Sequence, residues 1–429
     1  MNIENAMNRS LWFLGIIAGV LALGGCDSGS GTIALQIVPP YTTPLFTTFQ
    51  NASIAIGQPN LTTGTSPSTP SATNLSVQYG NIAVKGSVLY VPDYSDHRVL
   101  GFNSIPTTNG ASANFVLGQT SFTTNAPGIS ATQFNGPQTV QEHNGMLLLD
   151  DYSNSRILIF STAPTTTNAA ANVAVGQASL AATAPPNPCT QSNLNMPESF
   201  FAVNGKLIVG DSHSNRVMIW NSIPTTSGAP ANLVLGQNSF TTCIGNDDLQ
   251  TGAGGAPSAR TLQYPTGIWS DGTRLIVQDS ANHRILIWNT FPTANFTPAN
   301  VVIGQGDFTH IAANDDNQDG TTDAAPSART LNNPYYIDSD GIALFVTDNF
   351  NNRVLIWNHI PTTNFTPPDI VLGQASFTAM TANDDNQDGV QDAGPSGRTL
   401  SGPRGLKLVG KQLFVTDGSN YRQLIFQGQ

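Results

Sequence analysis

The sequence predicts an all-β fold: a six-bladed β-propeller of four-stranded blades, closed by an N-terminal strand that completes the last blade. Three observations predict it. A hydrophobic-Gly-Gln tag recurs at Ile56-Gly57-Gln58, Leu117-Gly118-Gln119, Val175-Gly176-Gln177, Leu235-Gly236-Gln237, Ile303-Gly304-Gln305 and Leu372-Gly373-Gln374, at spacings of 61, 58, 60, 68 and 69 residues. A second tag, Asp-x-x-x-x-Arg, runs in phase with it at Asp93/Arg98, Asp151/Arg156, Asp211/Arg216, Asp279/Arg284, Asp348/Arg353 and Asp417/Arg422. Between the tags lie runs of four to six β-branched or aromatic residues bounded by Gly, Pro and Asn, and nothing of helical length and period follows residue 26. A repeated unit too small to bury its own apolar face stacks on its neighbours, and with four strands per unit the stack is a propeller.

In chain order, Arg9 precedes a 13-residue apolar run from Leu11 to Leu23, which ends in Gly24-Gly25-Cys26. That run is too short to span a bilayer and suits the core of a secretory signal. Leu23-Gly24-Gly25-Cys26 resembles the bacterial lipobox, which implies a signal peptide over residues 1–25 and lipidation of Cys26. The alternative is an ordinary signal peptide in which Cys26 is incidental. Residues 26–50 run from Cys26 and Asp27 into a Ser- and Gly-rich stretch and contain Pro39-Pro40 and Pro44, the composition of an extended tether, and residues 51–429 form the propeller. A lipid anchor gains ~0.8 kcal/mol per buried methylene, so several chains hold stably. The mature chain is then extracytoplasmic, at the periplasmic or cell-surface side of a bacterial membrane.

The fourth unit shows how each blade reads. Gly267 to Trp269 is strand A, Ser270-Asp271-Gly272-Thr273 a tight turn, and Arg274 to Val277 strand B. Asp279 to His283 is an exit turn, Arg284 to Trp288 strand C, and Ala299 to Gly304 strand D after a Pro-containing loop. The last unit supplies strands A to C only, while Ala52 to Gln58 is a strand D with nothing before it. Placing that strand on the last blade completes six blades and leaves no bare inner edge.

These turns resemble those of NHL-repeat propellers, which carry Asp-x-x-Asn-x-Arg between strands B and C. Asp151 to Arg156 with Asn154, Asp279 to Arg284 with Asn282, Asp348 to Arg353 with Asn351 and Asp417 to Arg422 with Asn420 match fully. Blade one has Asp96 at the Asn position and blade three has Ser214. The resemblance implies the six-bladed fold and leaves function open, since such propellers include binding platforms, lyases and lactonase-like enzymes. Six identical pairs cannot line one active site, so the Asp/Arg pairs read as structural locks, each for the B–C turn of its own blade.

The formal net charge of −11, with only 16 Lys and Arg, excludes a nucleic-acid backbone as partner. Strand order puts the D–A connections and B–C turns on one face. The C–D loops on the other are near copies, as in Ile105-Pro106-Thr107-Thr108 and Ile360-Pro361-Thr362-Thr363, whereas the D–A connections differ, which places function on their face. Two of these connections carry Asp315-Asp316-Asn317-Gln318-Asp319-Gly320-Thr321-Thr322-Asp323 and Asp384-Asp385-Asn386-Gln387-Asp388-Gly389-Val390-Gln391-Asp392.

Oxygen side chains at alternate positions, a Gly at the sixth and a carbonyl at the seventh resemble the calcium loops of EF-hand-like and thrombospondin-type repeats. The expected ligands are Asp315, Asn317, Asp319, Thr321 and Asp323, and Asp384, Asn386, Asp388, Val390 and Asp392, holding a structural Ca²⁺. Pro326 and Pro395 stand where the bidentate Glu belongs, and the alternative is a pair of solvated acidic turns. The earlier insert, Asn246-Asp247-Asp248-Leu249, lacks the alternation. Cys189 and Cys243 fall in adjacent connections and are expected to form a disulfide outside the cytoplasm, the alternative being two free thiols.

The residue after each blade-opening Pro is expected at the mouth of the central channel: Gln138, Glu198, Thr266, Tyr335 and Arg404, with Tyr79 at the matching place in blade one. This ring varies between blades, as a binding surface would, although a water-filled polar mouth fits it as well. The six His residues make no metal spacing, and no nucleophile elbow is visible. The sequence therefore points to a non-enzymatic, lipid-anchored binding or scaffolding propeller that engages an envelope protein or glycan. The competing expectation is a Ca²⁺-dependent lactonase- or lyase-type enzyme using Glu198 and Arg404.

Overall fold

The computed structural model describes residues 46–183 and 189–429, so the expected signal peptide, the lipidated Cys26 and most of the tether lie outside the described residues. Among the described residues no helix is long and apolar enough to cross a membrane. Six four-stranded antiparallel sheets make up the fold, one per predicted unit. In the fourth, strand A is Pro265–Ser270, B Leu275–Asp279, C Arg284–Trp288 and D Val301–Ile303. The sixth pairs A (Pro403–Val409), B (Gln412–Asp417) and C (Arg422–Gln427) with the N-terminal strand Ile54–Ile56, in the register Ile54 to Ile425 and Ile56 to Gln423.

The apolar core is divided among the spaces between blades. One cluster joins Ile208, Val217 and Ile219 of blade three to Leu275, Val277 and Trp288 of blade four, all fully or nearly fully buried. Strands B and C are apolar on both faces because each packs on two neighbouring blades. Close approach near the axis excludes side chains altogether at some positions: a Cβ on Gly80 would lie 2.0 Å from the Gln138 carbonyl oxygen, and one on Gly405 would lie 2.0 Å from that of Gly80.

The near-identical C–D loops have a structural task. Each climbs the outside of the ring and covers the outer edge of the preceding blade's strand D. Asn295 Oδ1 accepts from Val234 N at 3.1 Å and Phe296 N donates to Val234 O at 3.1 Å; Asn364 and Phe365 do the same to Val302. An unpaired strand edge is an aggregation template, and these loops remove it.

The N-terminal segment does the same for blade five: Phe49 N donates to Val371 O at 3.0 Å, and Phe46 packs edge-on against Phe345 with ring centroids 6.0 Å apart. The folded unit therefore begins no later than Phe46 rather than at residue 51. Residues 46–50 stand in for the C–D loop of the blade whose strand D they precede.

Candidate functional site

The Asp/Arg tags hold the face that carries the candidate site. In every blade the Arg Nε donates to the tag carboxylate at 2.7–2.9 Å with both side chains fully buried. The rest of the guanidinium reaches further than the turn. Arg284 Nη1 donates to Phe308 O in the connection leaving blade four, and Nη2 donates to Ser258 O and Thr261 O in the connection entering it. The other Asp279 oxygen accepts from Gln263 N at 2.6 Å. Each tag thus ties a B–C turn to both flanking connections.

Of Arg98 and Arg216, in the two blades whose turns lack the Asn, only Arg98 departs from this pattern. Arg98 has two carboxylate partners rather than one: Asp93 at 2.9 Å and, through Nη2, Asp96 at 3.3 Å. Its other donors go to Phe122 O at 2.6 Å and Asn74 O at 3.1 Å, one in each flanking connection. A second carboxylate so near the first repels it, and burial together with Asp96 helps to raise the Asp93 pKa to about 6. Arg216 keeps Asp211 as its carboxylate, at 2.7 Å, and also donates to Phe240 O, Thr190 O and Asn193 O of the connections. In that blade Asn215, one position later than the usual Asn, donates its amide to Cys243 O at 3.0 Å. The reach beyond the turn follows from the size of the guanidinium: one carboxylate uses only part of its five donors, and the buried remainder must find carbonyls.

In the last three blades the Asn of the turn adds to this lock: Asn282, Asn351 and Asn420 exchange amide hydrogen bonds of 2.9–3.1 Å with Asn246, Asn314 and Asn383 of the long connections, while Asn154 donates to Gly128 O. His97 and His283, at the left-handed position of their turns, accept through Nδ1 from Gly136 N and Asn333 N, and burial holds both below the ordinary imidazole value. They serve as neutral acceptors at the start of the next blade.

Bulges in strand A build the mouth. The A–B register shifts between Pro137 and Val140, Pro265 and Ile268, Pro334 and Ile337, and Pro403 and Leu406. A bulge re-aims the extra residue, which sends Gln138, Tyr335 and Arg404 to a recess of about 180 Å³ shared with Tyr79, Glu198, Tyr94, Tyr152 and Tyr264. Five of the six expected mouth residues therefore meet there. Thr266 does not: it is fully buried in the wall, with its hydroxyl on Ser280 Oγ. Tyr94 and Tyr152 directly follow the tag Asp, and Tyr264 directly precedes the blade-opening Pro, positions that the sequence reading passed over.

At the recess, Glu198 is 2% exposed, with Oε1 accepting from Tyr264 Oη at 2.5 Å and Oε2 from Tyr335 Oη at 2.7 Å. Burial pushes its carboxyl up, opposed by those hydroxyls and by the Arg404 charge. Tyr152 Oη lies 3.0 Å from His213 Nε2, and burial keeps that imidazole below its ordinary value. Below this level Tyr336 crosses the axis from blade five, bonding to the Thr139 hydroxyl and donating to the Glu198 carbonyl. Its buried side chain thus links strand A of blade five to strand A of blade two and to Glu198 under the cup-shaped recess.

Near Tyr336 sits Asp150, fully buried with no hydrogen-bond partner on either oxygen. Burial, then the Glu198 and Asp151 charges, raise its pKa well above the ordinary 3.8. The folded chain holds this proton more tightly than the unfolded chain, so stability is fully present below the ordinary value and falls as pH rises through the raised one. Asp150→Asn should flatten that fall and leave the variant the more stable protein at the alkaline end, because an amide has no charge to desolvate beside Glu198 and Asp151. Urea midpoints of both proteins from pH 4 to pH 8 check this; parallel curves would contradict it.

The Asp-rich loops are locked by their own hydrogen bonds. Asp315 accepts from Asp319 N at 3.1 Å and Gly320 N at 2.9 Å, and Asp384 from Asp388 N at 3.2 Å and Gly389 N at 2.9 Å. Asn317 and Asn386 accept from those same Asp backbones at 3.0 Å, and Asp319 and Asp388 from the N–H groups of Thr321 and Val390. Asp323 and Asp392 cap Asp316 N and Asp385 N.

The insert containing Leu249 takes the same shape, with Asp247 accepting from Thr251 N and Gly252 N at 2.9 and 2.7 Å. Among the described residues no three His, Cys, Asp or Glu side chains gather closely enough to hold a metal. As arranged, the side chains of Asp315, Asn317 and Asp319, and of Asp384, Asn386 and Asp388, accept from N–H groups of their own loops.

Cys189 and Cys243 are bonded, with Cα atoms 6.2 Å apart, and join the connections on either side of blade three. Reduction, or a double Ser variant, should destabilise by about 2–4 kcal/mol, as expected for closing a loop of this length. Thermal melts with and without reductant measure it.

No protein-family profile matches this chain, and no curated protein does. Among solved structures, the chain is similar to the WD40 β-propeller domain of Doa1 (TM-score 0.40, 8% identity, 90% of this chain and 96% of that one). It is also similar to a chain of a nidogen/laminin complex (TM-score 0.38, 14% identity, 68% and 83% covered) and to the computationally designed Ika8 protein (TM-score 0.35, 5% identity, 81% and 70% covered). At these scores the fold assignment rests on the six sheets themselves.

Proposed function

We propose that this chain is a lipid-anchored, extracytoplasmic NHL-type propeller that works as a binding or scaffolding module, docking an envelope protein on the face formed by the B–C turns and D–A connections. One observation carries the reading. All six large apolar side chains exposed among the described residues lie on that face: Ile244, Leu249, Ile311, Met380 and Val390 on the three long connections, and Phe350 in a B–C turn. Leu249 is 83% exposed. Apolar groups rimmed by polar ones mark interaction surfaces, and the surrounding carboxylates suit a partner that presents basic residues around an apolar centre.

The test is retention of envelope proteins by immobilised wild type, by a Leu249→Ser/Ile311→Ser/Val390→Ser variant, and by a variant of the opposite face. A protein held by wild type and the opposite-face variant but lost by the triple variant supports the reading. Equal retention by all three contradicts it. The anchor is tested separately, by acyl labelling that Cys26→Ala abolishes.

Calcium at the two Asp-rich loops stands as a proposal supported by residue spacing and by the turn of Gly320 N and Gly389 N back onto the first Asp. Binding requires Asn317 with Asp319, and Asn386 with Asp388, to exchange their present hydrogen bonds for the ion. Calorimetry on chelator-treated protein should then show one ion per loop and a raised melting point. Absence of heat and of a shift removes the proposal. The enzymatic alternative requires Glu198 to release the hydroxyls of Tyr264 and Tyr335, and the proposed module has no turnover.

A further inference from the structure

We infer that the cup at the channel mouth is a binding site for a hydroxylated carboxylate of monosaccharide size, a sugar acid, with Arg404 as the group that receives the carboxylate. The site is distinct from the apolar rim, so either can fail without the other.

Eleven arginines lie among the described residues, and ten are engaged in ion pairs with Asp. Arg404 alone has neither an ion pair nor a side-chain hydrogen bond. Its guanidinium is nonetheless held in place, 3.8 Å from the ring centroid of Tyr79 and 4.9 Å from that of Tyr335. Stacking fixes the plane of the fork while leaving its N–H donors, which lie at the edge, unused. A planar monoanion engages two such donors at once.

A second observation points the same way. Gln138, 2% exposed and lining the cup, has an amide oxygen with no partner. A buried acceptor left open costs free energy unless something donates to it, and a ligand hydroxyl is such a donor. The walls are tyrosine rings with polar tips, suited to the C–H faces and hydroxyls of a sugar.

The charge at the floor selects among anions. Glu198 also lines the recess, with each carboxylate oxygen accepting from a tyrosine hydroxyl, which leaves less of its acceptor capacity for a ligand. Its proximity penalises a phosphate dianion more than a carboxylate. The cup, at about 180 Å³, holds one sugar ring and not a long chain.

The test is a titration of the whole mature protein, followed by NMR or calorimetry, with D-glucuronate, D-galacturonate, D-glucose and inorganic phosphate. Saturable binding of at least one uronate, with glucose and phosphate each weaker, is expected. Arg404→Gln should weaken it by about tenfold or more, the loss of one charge-assisted contact. Arg404→Lys should fall between, keeping the charge and losing the fork. Arg404→Lys keeps the charge beside Glu198 and should melt near wild type, whereas Arg404→Gln also loses the stacking on Tyr79 and Tyr335, so its binding is measured below its own melting transition. The inference is overturned by uronate binding unaffected in Arg404→Gln, by glucose or phosphate binding as tightly as the uronates, or by no saturable uronate binding.

Discussion

Arg284→Met should destabilise the protein by about 3–5 kcal/mol, the cost of removing one partner of a buried ion pair. Asp279, fully buried and already raised in pKa by that burial, would face the interior without its cation. The carbonyls of Phe308, Ser258 and Thr261 would lose their donor together, freeing the connections on both sides of blade four. Adding Asp279→Leu should recover part of the loss, because the stranded carboxylate goes with it. Denaturant midpoints of the single and double variants check the argument. A single-variant loss under about 1 kcal/mol would mean that the tags do not hold the face.

Deleting residues 46–58 should have a larger effect and abolish the cooperative fold. The deletion bares the strand Arg422–Gln427 along its outer edge, uncovers Val371, and removes Phe46, Ala52 and Ala55 from the core they share with Leu424 and Phe426. The ring then opens at the one place where strands far apart in sequence close it. Circular dichroism and size-exclusion chromatography should show a sharply melting wild type and an aggregating variant without a sharp melt. A peptide of residues 46–58 added in trans should restore part of the transition. A deletion variant that melts within a few degrees of wild type would contradict closure by this strand.

Both outcomes depend on features that were legible in the sequence for a physical reason. The tags repeat because every blade needs the same lock, and repetition is what a single sequence displays. Their reach was not legible: the carbonyls that Arg98 and Arg216 bind carry no side-chain signature, and the second carboxylate on Arg98 shows only as a departure from the repeat at Asp96. The closing strand was legible from an excess strand D at one end and a missing one at the other. The cysteine pair was legible because adjacent connections bring Cys189 and Cys243 close together.

The mouth was legible only in part, because the position after the blade-opening Pro does not alone decide which side chain reaches the recess: Thr266 has the same bulge as Gln138, Tyr335 and Arg404. Thr266 holds the position expected of a mouth residue but is turned onto Ser280, while its near neighbour Tyr264 reaches Glu198. Asp150 gives no sign in sequence of being buried, since it stands next to a tag Asp where other blades carry Pro92, Gly210, Gln278, Thr347 and Thr416. The role of residues 46–50 was hidden too. Their Thr48-Phe49 replaces the Asn295-Phe296 pattern of other blades, and only the edge they cover reveals the equivalence.

Site-specific photo-crosslinking in cells that make the full chain tests the central claim, that one face of this ring is built for binding, most directly. A photoreactive residue placed at Leu249 lies on the connection face, and one placed at the exposed Thr225 lies on a C–D loop of the opposite side. The account predicts discrete crosslinked species from position 249 and none from position 225. Crosslinks from position 225 alone, or equally from both, would contradict it.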